Sequence, residues 1–257
     1  SQLFESLNKV EETLKSNFPP PLVADRRKCS VCSWRNYCNA EAAKYGQLSE
    51  VSGIGAKREQ ILNDVGIHKL SELATTNPIK LGEKLEKFGL QHSNNAEQLI
   101  NQARSQHSGL QERLDKGIVL PEILKSPGIL IYDIESDPDD QDDFLHGFVR
   151  IKFNINGQLN LIDAKYQPIL ALHKHGGDSC WKRLKKKLDF YKDWPVIHYG
   201  ETELISLIRL GKSQGVNEKE LTRLTKGFID LHSRLKLHWR LPLNSYGLKT
   251  VANWTGF

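Results

Sequence analysis

The stretch Gly128-Ile-Leu-Ile-Tyr-Asp133-Ile-Glu135-Ser-Asp-Pro138 restricts what this chain can fold into more than any other. A continuous apolar run rich in β-branched and aromatic residues predicts a buried central strand, and this one delivers two carboxylates at its C-terminal end. Acids in such a place are costly unless something cationic meets them. Side chains at i and i+2 of a strand face the same way, so Asp133 and Glu135 would point at one spot and offer Mg²⁺ or Mn²⁺ a pair of oxygen ligands. The competing reading is a strand that ends in a polar turn.

The 257 residues suffice for one large or two smaller domains. No apolar run approaches membrane-spanning length. The chain opens at Ser1 in a helical pattern with no signal-peptide apolar region, so a cytoplasmic piece of a longer protein is expected. A net charge of +5 admits nucleic acid as a partner without requiring it. Lys and Arg bunch at Arg26-Arg27-Lys28, at Trp181-Lys-Arg-Leu-Lys-Lys-Lys187 and between Arg223 and Lys249. For the second run a solvated helix face is the simpler account, because Trp181, Leu184 and Leu188 supply a buried stripe.

Phe4, Leu7, Val10 and Leu14 predict a helix over Leu3 to Phe18, ended by Pro19-Pro20-Pro21. Next comes Cys29-Ser-Val-Cys32-Ser-Trp-Arg-Asn-Tyr-Cys38, which crowds three of four cysteines into ten residues. In a cytosolic chain this spacing argues for an iron-sulfur cluster or zinc rather than disulfides, with a fourth ligand from elsewhere. Cys180, beside Trp181 on a predicted helix, reads as a buried thiol.

Residues 46–107 read as an all-helical block. At its centre, Leu48-Ser-Glu-Val-Ser-Gly53-Ile-Gly55-Ala-Lys57-Arg58 predicts two helices joined by a tight turn, with Lys57 and Arg58 beside unpaired N–H groups. That geometry accepts a phosphate. It resembles the helix-hairpin-helix motif of DNA repair and recombination proteins; the alternative is a plain helix connection.

After a linker over 108–127 the pattern changes. The central strand is followed by a half-exposed strand at Phe148 to Phe153, an Asn156-Gly157 hairpin turn, and a strand from Leu159 to Ala164. Then come a helix near Ser179 to Tyr191, a buried strand Pro195 to Tyr199, a helix through Leu204 and Leu207, another helix, and a strand at Phe228 to Leu231. An antiparallel meander, a crossover helix and then parallel strands alternating with helices is the order of an RNase H-like α/β fold, here over 128–257. In that fold the first strand and the one after the crossover lie side by side, which brings His198-Tyr-Gly-Glu201-Thr-Glu203 next to Asp133 and Glu135. Glu203 is preferred to Glu201 because it directly precedes Leu204 on the inward side. Asp230, alone in an apolar strand, is a fourth candidate, though it could cap the next turn. Four carboxylates and two Mg²⁺ would hydrolyse phosphodiesters, with His198 as base or phosphate contact, or simply as a packed imidazole.

The Asp133-x-Glu135 strand resembles the first motif of the DEDD 3′-5′ exonuclease superfamily, and His198-Tyr-Gly-x-x-Glu203 is similar to the second motif of its YprB-like branch. The order of elements resembles a bacterial family of RecB-like nucleases. In that family a nuclease core ends in the cysteine pattern and is followed by helix-hairpin-helix and RNase H-like domains. The resemblance makes 1–45 the last helix and cysteine loop of the core. Cys29, Cys32 and Cys38 would match the trailing iron-sulfur cysteines of AddB-like nucleases, whose fourth cysteine lies upstream. Asn244-Ser-Tyr-Gly-Leu-Lys249-Thr-Val-Ala252 resembles the stretch that follows the Asp230 strand, which adds Lys249 to the DNA contacts. The core's own Asp, Glu-x-Lys and Gln-x-x-x-Tyr motifs are absent, and the chain stops at Phe257 before the Tyr-x-x-x-Asp segment of a DEDD enzyme. The expectation is a nuclease truncated at both ends, using Mg²⁺ or Mn²⁺ on DNA. The alternative is a non-catalytic DNA-binding scaffold with relic acids.

Overall fold

The computed structural model describes residues 2–17, 22–23, 29, 32–137, 142–154, 156–171 and 176–257, without the side chains of 2, 142 and 176–179. The chain forms two compact units, Ser1–Glu112 with Arg240–Ser245, and Arg113–Trp239 with Tyr246–Phe257. The sequence suggested one unbroken domain from 128 onward; instead residues 240–245 return to the first unit. There Leu241 is buried, and Gln102 Nε2 donates to the carbonyls of Leu241 at 2.9 Å and Leu243 at 3.3 Å.

The first unit contains α1 (Gln2–Lys15), α2 (Arg35–Tyr45), α3 (Ala56–Asp64), α4 (Leu70–Thr75), α5 (Pro78–Leu85), α6 (Leu90–Ser93) and α7 (Ala96–Ser108). Leu48, Val51, Ile61, Leu62, Leu73, Leu81, Leu99 and Ile100 make its core. α1 forms where helical spacing predicted it, but Leu3, Phe4, Leu7, Val10 and Leu14 are all exposed. Pro19 to Pro21 lie outside the described residues.

The second unit carries β2 (Gly128–Asp137), β3 (Asp142–Phe153), β4 (Leu159–Leu170), β5 (Val196–His198) and β6 (Phe228–Asp230), while β1 (Glu112–Arg113) and β7 (Trp239–Arg240) form a separate two-stranded sheet. The five-stranded sheet has the order β4-β3-β2-β5-β6. β3 is antiparallel to β2 and β4, whereas β5 is parallel to β2 and β6. This is a mixed α/β sheet, and the strand after the crossover helix lies beside the first strand, as its position in the chain predicts.

Helices α8 (Gly176–Phe190), α9 (Thr202–Ser213) and α10 (Glu218–Thr225) supply one side of the core. Leu130, Tyr132 and Phe148 of the sheet pack there against Trp181, Leu184, Leu188, Leu207, Leu221 and Leu224. Cys180 is buried among them, and Lys182, Arg183 and Lys186 lie on the exposed face of α8. On the opposite face, Ile129, Ile151 and Ile197 are met by Leu120, Ile123 and Leu231, and Ile131 is exposed.

β4 runs past the expected Ala164 to Leu170, and α11 (Leu231–His238) and α12 (Leu248–Trp254) have no counterpart in the sequence reading. Both helices are short, and their apolar spacing is too brief to show a period.

Candidate active site at the ends of the parallel strands

In open α/β sheets, ligand sites gather beyond the carboxyl ends of parallel strands. Here those ends belong to β2, β5 and β6. Asp133 and Glu135 are both exposed at the end of β2, and strand alternation sets them on the face of Ile129 and Ile131, opposite the Tyr132 core.

β5 ends at His198, paired with Asp230 in the parallel register. The chain then turns at Gly200, whose φ of +105° favours glycine, and enters α9. Glu201 is exposed at the N-cap of α9, whereas Glu203 is buried on its first turn. Glu203 Oε2 is buried without a hydrogen-bond partner, and it faces His198 Nδ1 at 3.6 Å, within ion-pair reach but beyond hydrogen-bond distance. Burial holds the Glu203 carboxyl above the usual carboxylate range. Its own backbone N–H and His198 offset part of that rise, and the charge of Asp133 adds to it.

His198 is 3 % exposed, its Nδ1 lies 2.7 Å from the Gly200 carbonyl, and its ring packs on Phe228. That hydrogen bond puts the proton on Nδ1 and ties the strand end to the turn, so His198 takes the packed place that the sequence left open rather than an exposed one.

Asp230 is equally committed. Its Oδ1 accepts from Gly200 N–H at 2.8 Å and from His232 N–H at 2.9 Å, and its Oδ2 accepts from the Ser233 hydroxyl. It is the N-cap of α11 and the strap of the Gly200 turn. These bonds hold its carboxyl below the usual range although burial opposes them. The expectation that four acids converge is therefore not met in this geometry: among the described residues, no three His, Cys, Asp or Glu side chains form a group able to hold a metal ion. The charge of Asp133 bears on Glu203, and Glu135 shares the strand face of Asp133.

The sequence reading missed Asp143. It is 7 % exposed at the start of β3, where its carboxylate accepts from Ser136 Oγ at 2.6 Å, from Ser206 Oγ and from Arg209 at 3.1 Å. Burial opposes the charge, but these donors outweigh it and hold the carboxyl below its usual range. No spacing rule reveals it, because Asp143 reaches that side through an irregularity in strand pairing.

In the first unit, the element before the Gly53–Gly55 turn is a three-residue 3₁₀ turn, Leu48–Glu50, rather than the expected helix. Gln47 before it and Val51 after it are extended, which leaves no room for a full turn. Gly53 has φ +91°, and Gly55 is the N-cap of α3. Lys57 is exposed, and Arg58 Nη1 donates to the Gly53 carbonyl at 2.6 Å, bracing the turn. Lys249 is exposed on α12, whose approach is fixed by Tyr199 Oη donating to the Tyr246 carbonyl at 2.5 Å. Cys32 N–H donates to the Cys29 carbonyl in a tight turn, and Cys38 lies on α2, but the three thiols are not gathered as one ligand group.

No family model, curated protein or solved structure matches this chain.

Proposed function

We propose that this chain is a metal-dependent phosphodiesterase acting on DNA, with an RNase H-like sheet unit of the exonuclease type and a helical unit that grips backbone phosphates without regard to sequence. One observation carries the reading. Glu203 keeps a buried carboxylate oxygen with no hydrogen-bond partner, within electrostatic reach of Asp133. An unsatisfied buried polar group costs roughly 1–3 kcal/mol, and more when charged. A divalent cation shared with Asp133 would remove that cost, and carboxylate oxygens suit Mg²⁺ or Mn²⁺. The strand order β4-β3-β2-β5-β6, a meander joined by a crossover helix to parallel strands, supports the fold assignment.

In this proposal Asp133 and Glu203 hold the ion, with Glu135 beside them on the strand face of Asp133. When bound, such an ion polarises a phosphoryl oxygen and acidifies a bound water. The chain's own residues orient and bind. His198 and Asp230 fix the Gly200 turn that sets Glu203, while Lys57 and the first N–H groups of α3 meet a backbone phosphate. Because both oxygens of Asp230 are committed to the Gly200 turn and α11, the proposed site holds one ion rather than two. Among the described residues the cysteines do not gather into a closed iron-sulfur or zinc site.

The test is degradation of end-labelled single-stranded DNA with Mn²⁺ by the wild type and by Asp133→Asn. Hydrolysis lost in the variant supports the proposal. The second reading, a DNA-binding scaffold, is favoured by the lack of a three-acid group among the described residues. It expects the wild type to bind DNA and leave it intact, with or without Asp133.

A further inference from the structure

The pairing of β2 with β3 contains one irregularity. Glu135 pairs with Leu145, but the next residue, Ser136, pairs with Asp143, so Phe144 is an extra residue in β3. Because side chains alternate with period two, a one-residue bulge turns every side chain beyond it to the other face. Were Phe144 paired with Ser136 in regular register, Asp143 would share the open face of Asp133 and Glu135. With it, Phe144 is exposed, and Asp143 turns to the helix-covered side, where Ser136, Ser206 and Arg209 donate to its carboxylate.

Ser206 lies three residues after Glu203, on the same face of α9. Both are buried, and Arg209 extends the line by one further turn, donating to Ser206 Oγ as well as to Asp143. Asp143 therefore fixes the rotation of α9 about its axis. From these contacts we infer that Asp143 is a positioning residue for the proposed metal site: through Ser206 and Arg209 it holds α9 so that the Glu203 carboxylate stays aimed at the Asp133 end of β2. Arg209 is 53 % exposed, so its charge is screened, and the Ser206 hydroxyl is the tighter link. Groups that orient metal ligands typically change metal affinity by about 10–100-fold when removed.

The inference rests on the proposed metal site, and the experiment separates the two. Binding of Mn²⁺ alone is titrated by the loss of the free-ion electron paramagnetic resonance signal, with folding followed by circular dichroism. The proteins are the wild type, Asp133→Asn, Asp143→Ala, Asp143→Asn and Ser206→Ala. Asp133→Asn is expected to abolish binding. Asp143→Ala and Ser206→Ala should weaken it about tenfold while remaining folded. Asp143→Asn, which keeps one oxygen to accept the Ser206 proton, should recover part of the affinity that Asp143→Ala loses. Binding lost in Asp133→Asn but unchanged in Ser206→Ala and Asp143→Ala would overturn the positioning role and leave the metal site standing. A wild type that takes up no Mn²⁺ would overturn both.

Discussion

Asp230 shows how one residue type can carry two readings that only tertiary structure separates. An aspartate embedded in an apolar strand suggests a ligand, yet here it caps α11 and straps the Gly200 turn. Losing an N-cap typically costs about 0.5–2 kcal/mol. Asp230→Ala is expected to cost at least the upper part of that range, since the Gly200 N–H loses its acceptor too; urea unfolding measures it. The carboxyls of Asp143 and Glu203 are shifted in opposite directions. The folded Asp143 carboxyl lies below the usual 3.8, so its stabilisation is complete above that value and is lost as pH falls through the lowered one. Asp143→Asn should therefore flatten the acid side of a stability–pH curve below about pH 4. The folded Glu203 carboxyl lies above 4.5, so ionisation costs stability at neutral pH, and the cost disappears as pH falls through the raised value. The sequence made the shared face of Asp133 and Glu135 legible through strand alternation, and the burial of Glu203 rather than Glu201 through its place before Leu204. The partners of Asp230 and Asp143 were not legible, because each depends on backbone groups distant in sequence.

At the scale of elements, the strands and most helices followed from apolar patterning, and their departures have local causes. The central strand was evident because an apolar run bounded by turns has few other solutions. The bulge at Phe144 was not, since one inserted residue leaves composition and period almost unchanged. Deleting Phe144 should restore regular pairing and leave Asp143 opposite Ser136 on the helix-covered side, so its contacts with Ser136, Ser206 and Arg209 survive. Asp143→Ala removes those contacts, and the expected outcome is a thermal midpoint that falls further for Asp143→Ala than for the deletion. On the helical side, Trp181 is 5 % exposed in the core under β2, so Trp181→Ala should cost about 3–5 kcal/mol in chemical denaturation.

Across the whole molecule, domain organisation was legible where composition changes and hidden where the chain retraces its path. The sequence suggested a cysteine-loop remnant over 1–45, a helical domain over 46–107 and a sheet domain from 128; the first crossing between the two compact units falls after Glu112. The return of 240–245 could not be read, because its anchors are the Leu241 side chain and two carbonyls held by Gln102. Leu241→Ala should cost about 2–5 kcal/mol, and hydrogen exchange should show the loss in α7 before it reaches the five-stranded sheet. That Glu203 keeps a buried carboxylate oxygen without a hydrogen bond for a cation, rather than for stability, is what the proposed site requires. It is tested most directly by the thermal midpoints of the wild type and Glu203→Gln at neutral pH, each with and without Mn²⁺. The metal-free variant is expected to melt higher than the metal-free wild type, and Mn²⁺ to raise the wild type alone. A variant that melts lower, or that Mn²⁺ stabilises as much as the wild type, would contradict it.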